Sequence, residues 1–159
     1  MSPTNQRVDY YYDPNAPKAT SRKPSASVLV RDDAGRLLLI QRTDNNLWTI
    51  PTGGLKKNET IPECGVRECR EETGVDIAVI GLVGVFSDPN HRIAYADGEV
   101  RQPVNICLRA RPTGGQATAT DEASQVRWVD PADLDDYEIH PAIRARITHG
   151  LTYTEPHIG

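Results

Sequence analysis

Glu68, Glu71 and Glu72 stand three and four positions apart, so on an α-helix their carboxylates share one face. Like charges at that spacing repel and weaken an isolated helix. A divalent cation reverses the sign of that effect, since Mg²⁺ takes carboxylate oxygens in octahedral geometry and keeps other positions for water and substrate phosphate. The stripe follows a glycine loop, Gly53-Gly54, within the run GGLKKNETIPECGVRECREETGV at residues 53–75. An acidic stripe opening onto such a loop suggests a metal–phosphate site. A solvated charged face would account for Glu71 and Glu72 but leaves the places of Gly53, Glu59, Arg67 and Gly74 unexplained.

The helix carrying this stripe has signals at both ends. Thr60 and Glu63 form a capping box, and Pro62 lies near the first helical position. Gly74 supplies a left-handed residue that stops the helix. Ile61, Gly65, Cys69 and Thr73, with Val66 nearby, make a second face that packs inward. Gly65 costs roughly 0.5–1 kcal/mol relative to Ala in a helix, which predicts another backbone passing close to it.

The remaining chain must position this helix. Its 159 residues suit one domain with a sizeable core. Residues 1–24, rich in Pro, Asn, Ser and Lys, read as an extended arm before a domain at 25–159. Tyr10-Tyr11-Tyr12 is then either an aromatic anchor packed on the domain or a base-stacking element. Strands are expected at Ser25–Arg31 and Arg36–Gln41, around a turn at Asp32–Gly35, and Leu47–Pro51 leads into the glycine loop. Ile77–Phe86 reads as a strand, broken by Ser87–Asn90. His91–Ala96 and Glu99–Ala110 read as a hairpin through Asp97-Gly98, which suits a type I′ turn. Thr113–Ser124 is expected as a loop, Gln125–Val129 as a short strand, Pro131–Leu134 as a turn and His140–Gly150 as a C-terminal helix.

The formal net charge of -4 argues against a nucleic-acid polymer as partner. No segment approaches the length of a transmembrane helix, and the first eighteen residues lack the apolar stretch of a signal peptide. Cys64, Cys69 and Cys107 are odd in number and form no metal-like pair, which fits reduced thiols in a cytoplasmic protein.

The run at 53–75 resembles the Nudix box: Gly, five residues, Glu, seven residues, Arg-Glu, an apolar residue, any residue, Glu-Glu, any residue, Gly, apolar. Gly53, Glu59, Arg67, Glu68, Glu71, Glu72, Gly74 and Val75 all match in register. Cys69 takes the usual aliphatic place, and Thr52 stands where the family usually has glycine. Outside the box, Asp13–Lys18, Asp88–His91, Tyr95–Gln102 and Asp121–Leu134 resemble a bacterial, ADP-ribose pyrophosphatase-like group of Nudix (MutT-like) hydrolases.

The resemblance implies an α/β/α sandwich around a mixed β-sheet. It implies hydrolysis of the diphosphate linkage of a nucleoside diphosphate derivative, assisted by Mg²⁺ or Mn²⁺. Glu68, Glu71, Glu72, the Thr52 carbonyl and Glu122 would hold metal, with Asp121 as the alternative to Glu122. Glu68 or an acidic loop residue would take the proton from the attacking water, and Arg67 would pair with Glu59 or a neighbour to hold loop and helix in register. Gly53, Gly54, His91, Tyr95 and Arg101 would contact substrate, with Asp88 and Glu99 nearby and Arg101 best suited to phosphate.

Pro89, fourteen residues past Val75, lies near a position that ADP-ribose-specific relatives occupy with proline, so ADP-ribose or a nucleotide sugar is the expected substrate. Alternatives are (deoxy)nucleoside triphosphates, or a non-catalytic nucleotide sensor. In a homodimer the tyrosine arm could reach a partner's site.

Overall fold

Two long strands divide the core. In the computed structural model, which describes residues 7–159, Ser21–Val30 and Val100–Gly115 run side by side, parallel and in register from Ser21↔Arg101 to Val30↔Ala110. Successive side chains on a strand point to opposite faces. Val28 and Val30 therefore join Cys69, Val75, Leu108 and Ala110 in one buried cluster. Leu29 joins Val83, Cys107, Ile143 and Ile147 in another. The chain order is β1 (Arg7–Tyr11), β2 (Ser21–Val30), β3 (Leu37–Arg42), β4 (Trp48–Thr49), β5 (Thr52–Gly54), α1 (Ile61–Thr73), β6 (Val75–Phe86), β7 (His91–Tyr95), β8 (Val100–Gly115), β9 (Ala123–Val129), a 3₁₀ turn at Pro131–Asp136, α2 (Pro141–Thr152) and β10 (His157–Ile158). Helix α1 covers the first cluster and α2 the second, so the fold is an α/β/α sandwich as expected.

The large mixed sheet runs β1-β7-β8-β2-β5, with β6 pairing β8 and β10. A smaller sheet, β4-β3-β9, stands beside it. Among the described residues no helix is long and apolar enough to cross a membrane.

The expected arm departs from the sequence reading. Residues 1–6 of it lie outside the described residues. Arg7–Tyr11 is an edge strand, antiparallel to β7 from Arg7↔Tyr95 to Tyr11↔His91. Strand β2 begins at Ser21, so a boundary at residue 24 falls inside a strand. Tyr11 packs on the domain, edge-on to His91 and His140 with centroids 5.9 and 5.8 Å away, and the exposed Tyr12 donates its hydroxyl to Asp88.

Other local readings shift for identifiable reasons. The β7–β8 connection is not type I′, which needs positive φ at both central residues. Gly98 alone has it, at φ 93°, following a turn closed by Gly98 N–H to Tyr95 O (3.1 Å). Strand β8 continues to Gly115 because β6 pairs with it to that point, which shortens the expected loop at 113–124. Close to Gly65 lie the Leu108 and Val28 side chains rather than a backbone; a Cβ there would stand 3.1 and 3.2 Å from them.

Asp9 ties β1 to the sheet. Its carboxylate accepts from Arg7 Nε (2.7 Å) and Nη2 (3.2 Å) and lies 3.2 Å from His91 Nε2. Burial pushes its pKa up, but His91 and Arg7 more than offset this and hold it far below the usual carboxylate value. A carboxylate depressed in the folded state contributes stability that is present above its unfolded pKa and lost as pH falls toward the folded one. Asp9→Asn should therefore destabilise the protein by about 3 kcal/mol at pH 7 in urea denaturation. The difference from wild type should shrink once pH falls below about 4. An equal difference at pH 7 and pH 3 would exclude the ion pair as its source.

Candidate active site

Helix α1 delivers the carboxylates. Thr60 Oγ1 accepts from the Glu63 N–H (3.2 Å), Glu63 Oε1 accepts from the Thr60 N–H (3.1 Å), and Gly74 ends the helix at φ 77°. Glu68 and Glu72 are buried, at 9 % and 3 % exposure. With Glu122 they bring carboxylate oxygens within 4.8 Å of one another. These residues line a cavity of about 470 Å³.

Glu71 stands apart from this group. Its side chain is 49 % exposed and meets Arg67 at 3.2 Å. A step of 100° per residue puts i and i+4 closer in direction than i+3 and i+4, so Glu68 and Glu72 turn inward together while Glu71 faces the rim.

Two devices hold the inward carboxylates. Arg67 donates Nη1 to Glu68 Oε1 (2.6 Å), Nε and Nη2 to Glu59 (2.6 and 2.9 Å), and Nη2 to Gly54 O (3.0 Å). One guanidinium thus fastens the glycine loop to the helix. The hydrogen bond from Arg67, with one from the Lys56 N–H, holds the Glu59 pKa down at about 2. Glu72 accepts from the Thr52 N–H (2.9 Å), so Thr52 acts on the site through its amide. Gly53 leaves the space that Glu68 occupies: any Cβ there would overlap the Glu68 carboxylate.

Glu122 arrives by a different route. The segment before β9 is tied to α1 by Thr118 N–H to Thr73 O (2.9 Å) and Thr120 Oγ1 to Glu72 O (3.1 Å). Thr43 N–H reaches Glu122 O at 3.3 Å. These bonds bring an exposed loop acid beside a helix fifty residues earlier in sequence. Asp121 also lines the cavity but is outside the 4.8 Å group.

The donor set fits a hard divalent cation. It is all oxygen, and its charges are poorly compensated. Burial raises the Glu68 pKa, with Glu71 and Glu122 adding to the rise against Arg67. Burial lifts Glu72 to about 8, against the Thr52 hydrogen bond and with Glu68 adding to the rise. Such a cluster opposes its own ionisation until a cation neutralises it.

Other expected contacts are found around the same cavity. Gly53, Gly54, His91, Tyr95 and Arg101 all line it. Arg101 is engaged internally, with Glu99 at 2.9 and 3.1 Å and the Tyr95 ring 4.8 Å beneath it. His91 is buried, pairs with Asp9 and stacks on His140 at 5.4 Å. Asp88, Pro89 and the three tyrosines do not line the cavity. Pro89 occupies the turn before β7, where its carbonyl accepts from Arg92 Nε (3.1 Å).

Sequence reasoning missed much of the wall: Arg7, Asp9, Arg42, Asp44, Asn105, His140 and Arg146. Arg42 pairs with Asp44 at 2.7 Å. A signal existed for Arg146, since the buried face of α2 reads Ala142, Ile143, Arg146, Ile147, Gly150, and an arginine interrupts that apolar stripe.

The family model for the NUDIX domain matches residues 21–150, and the chain belongs to that family, making it a Nudix hydrolase acting on nucleotide derivatives. It is 35% identical over 134 residues to a MutT-like protein of Streptomyces ambofaciens, covering 84% of this chain and 79% of that protein. It is 29% identical over 114 residues to the dihydroneopterin triphosphate diphosphatase of Escherichia coli K12, covering 65% of this chain and 74% of that protein. In fold it is similar to an ADP-ribose pyrophosphatase of Streptococcus suis, with TM-score 0.67, 17% identity, and 87% and 100% of the two chains covered. A NUDIX hydrolase of Nitrosomonas europaea gives TM-score 0.72 at 19% identity, covering 91% and 80%.

Titration calorimetry with Mn²⁺ separates the acidic residues. Glu68→Gln and Glu72→Gln should each weaken binding ~10-fold or more, at least as much as loss of an outer-shell partner does, and Glu71→Gln should do clearly less. Equal losses at all three would bring Glu71 into the metal's shell. Gly53→Ala should retain the fold by circular dichroism and weaken Mn²⁺ binding, because its Cβ displaces the Glu68 carboxylate; undiminished binding would show that Glu68 is not held by that space.

Proposed function

We propose that the protein is a Mg²⁺- or Mn²⁺-dependent hydrolase that cleaves the diphosphate linkage of a nucleoside diphosphate derivative, with ADP-ribose or a nucleotide sugar as the leading substrate class. The observation that carries this reading is the convergence of Glu68, Glu72 and Glu122 on the wall of one cavity. A volume of about 470 Å³ lies within the ordinary range of small-molecule pockets. Trp48, Ile93, Pro103 and Ile143 add apolar surface to the same cavity, which suits the uncharged parts of such a substrate.

Glu68 and Glu72 would hold the metal, with one oxygen of Glu122 completing the set and its other oxygen left free. The bound ion would neutralise diphosphate charge and polarise the phosphoryl oxygens. Glu122 is the proton acceptor for the attacking water. Glu68 already has one oxygen committed to Arg67, and Glu72 accepts from Thr52, whereas Glu122 is exposed on its loop. As water adds to phosphorus, the bridging P–O bond breaks and a nucleoside monophosphate and a sugar phosphate leave. Arg67 contributes as a positioning residue through Glu59 and Glu68. Buried, unpaired Cys64, Cys69 and Cys107 accord with a cytoplasmic setting.

A second reading is hydrolysis of (deoxy)nucleoside triphosphates. The likeness to the MutT-like protein and to a triphosphate diphosphatase favours it.

A screen of ADP-ribose, nucleotide sugars, dinucleoside polyphosphates and dNTPs with Mg²⁺ should show turnover that EDTA abolishes and Mg²⁺ or Mn²⁺ restores. Persistence in chelator would overturn metal dependence. Preferential turnover of dNTPs would select the second reading. On the preferred substrate, Glu122→Gln should lower kcat ~10²-fold with little change in KM, and Asp121→Asn should be milder. The reverse order would transfer the role to Asp121.

A further inference from the structure

Arg146 has no use in the chemistry above and is buried at a cost. It is 4 % exposed, its Nε has no hydrogen-bond partner, and among the described residues its guanidinium enters no ion pair. It nevertheless lines the cavity. The titratable groups acting on it are Cys107, Arg7, Asp9 and Tyr11; burial pushes the Cys107 thiol up and keeps it uncharged, and Arg7 and Asp9 already neutralise each other at 2.7 Å. That end of the cavity therefore carries one uncompensated positive charge. The Phe86 ring lies 5.6 Å from the Arg146 guanidinium carbon, a cation–π contact that offsets part of the lost hydration. A ring face supplies no hydrogen-bond acceptor, so the desolvation of the unpaired guanidinium is not made good by it.

The neighbouring side chains exclude a cation. Asp9, His91 and His140 bring ligand atoms within 4.8 Å of one another. Both Asp9 oxygens are already engaged by Arg7, with His91 beside them, and His140 Nδ1 accepts from the Ala142 N–H (3.1 Å). Arg7 and Arg146 together would repel a metal ion. The same charges attract an anion. In a substrate drawn from nucleotide derivatives, the strong anions are phosphoryl groups, whose oxygens match the guanidinium fork.

We propose that the Arg146 end of the cavity is an anion subsite, in which the Arg146 guanidinium binds a phosphoryl group of the substrate. This rests on the nucleotide-derivative reading of the cavity. The phosphoryl group is either part of the diphosphate being cleaved or a second one carried elsewhere on the substrate.

The test uses the full chain in EDTA, with orthophosphate as probe and no turnover required. Without ligand, Arg146→Met should melt at or above the wild-type temperature, since an apolar residue of similar length replaces an unpaired buried charge. Orthophosphate should raise the wild-type melting temperature, and its Kd should be at least ~10-fold weaker in Arg146→Met; Arg146→Lys should keep part of the affinity. A role confined to packing gives the opposite pattern, with a lower melting temperature and unchanged Kd. Equal phosphate binding by wild type and Arg146→Met, or none by wild type, would also overturn the subsite.

Kinetics with ADP-ribose and with its counterpart phosphorylated on the adenosine ribose distinguish the two sources. Arg146→Met should raise KM for both if the cleaved diphosphate is bound, and only for the second if a remote phosphate is. An unchanged KM for both would overturn the proposal. Absence of hydrolysis of every substrate would overturn the proposed reaction and leave the metal-free phosphate comparison to judge Arg146 alone.

Discussion

Glu68 and Glu72, one helical turn apart and both buried, repel each other and Glu122 across the head of one cavity. Nothing in an isolated helix would keep them there. Arg67 takes one oxygen of Glu68 while its other nitrogens grip Glu59 and the Gly54 carbonyl, and the Thr52 amide takes an oxygen of Glu72. The glycine loop is bound to the helix by the same contacts that hold the carboxylates, so loop conformation and site geometry cannot vary independently. Gly53 belongs to this arrangement because its missing Cβ is the space the Glu68 carboxylate fills.

The sheet explains how so many charges share one cavity without disrupting the fold. Strand β1 pairs with β7 and brings Arg7 and Asp9 as a closed pair, and Arg42 with Asp44 forms another nearby. Pairing within the wall leaves two regions unbalanced. One is the acidic cluster from α1 and the loop before β9, which invites a cation. The other is Arg146 from α2 on the opposite face of the sheet, which invites an anion. The proposed places of metal and phosphate thus follow where the compensated charges end.

Helix α1 was legible because its determinants are local. The capping box, the terminal glycine, the acidic spacing and the inward face at Cys69 all depend on residues within four positions of one another. The box resemblance implied that Arg67 pairs with Glu59 or a neighbour, and the structure has it on Glu59, Glu68 and Glu71 together. The layered α/β/α arrangement was implied by the resemblance to the Nudix family, and the order of strand patterns and helices fits it.

What the tertiary structure decided are the relations between distant segments. The chain from Ser21 to Pro24 is strand only because β8, eighty residues later, offers a parallel partner. Helical spacing groups Glu68 with Glu72, but it is the direction of the cavity that takes in this pair, leaves Glu71 at the rim and recruits Glu122 through threonine contacts to the end of α1. Arg146 shows the same limit in reverse. Its place in an apolar stripe marks it as buried, but its lack of a counter-ion depends on Asp9 being taken by Arg7 on an edge strand at the other end of the chain. Local spacing determines which groups a helix presents; long-range pairing determines which charges meet and which are left without a partner.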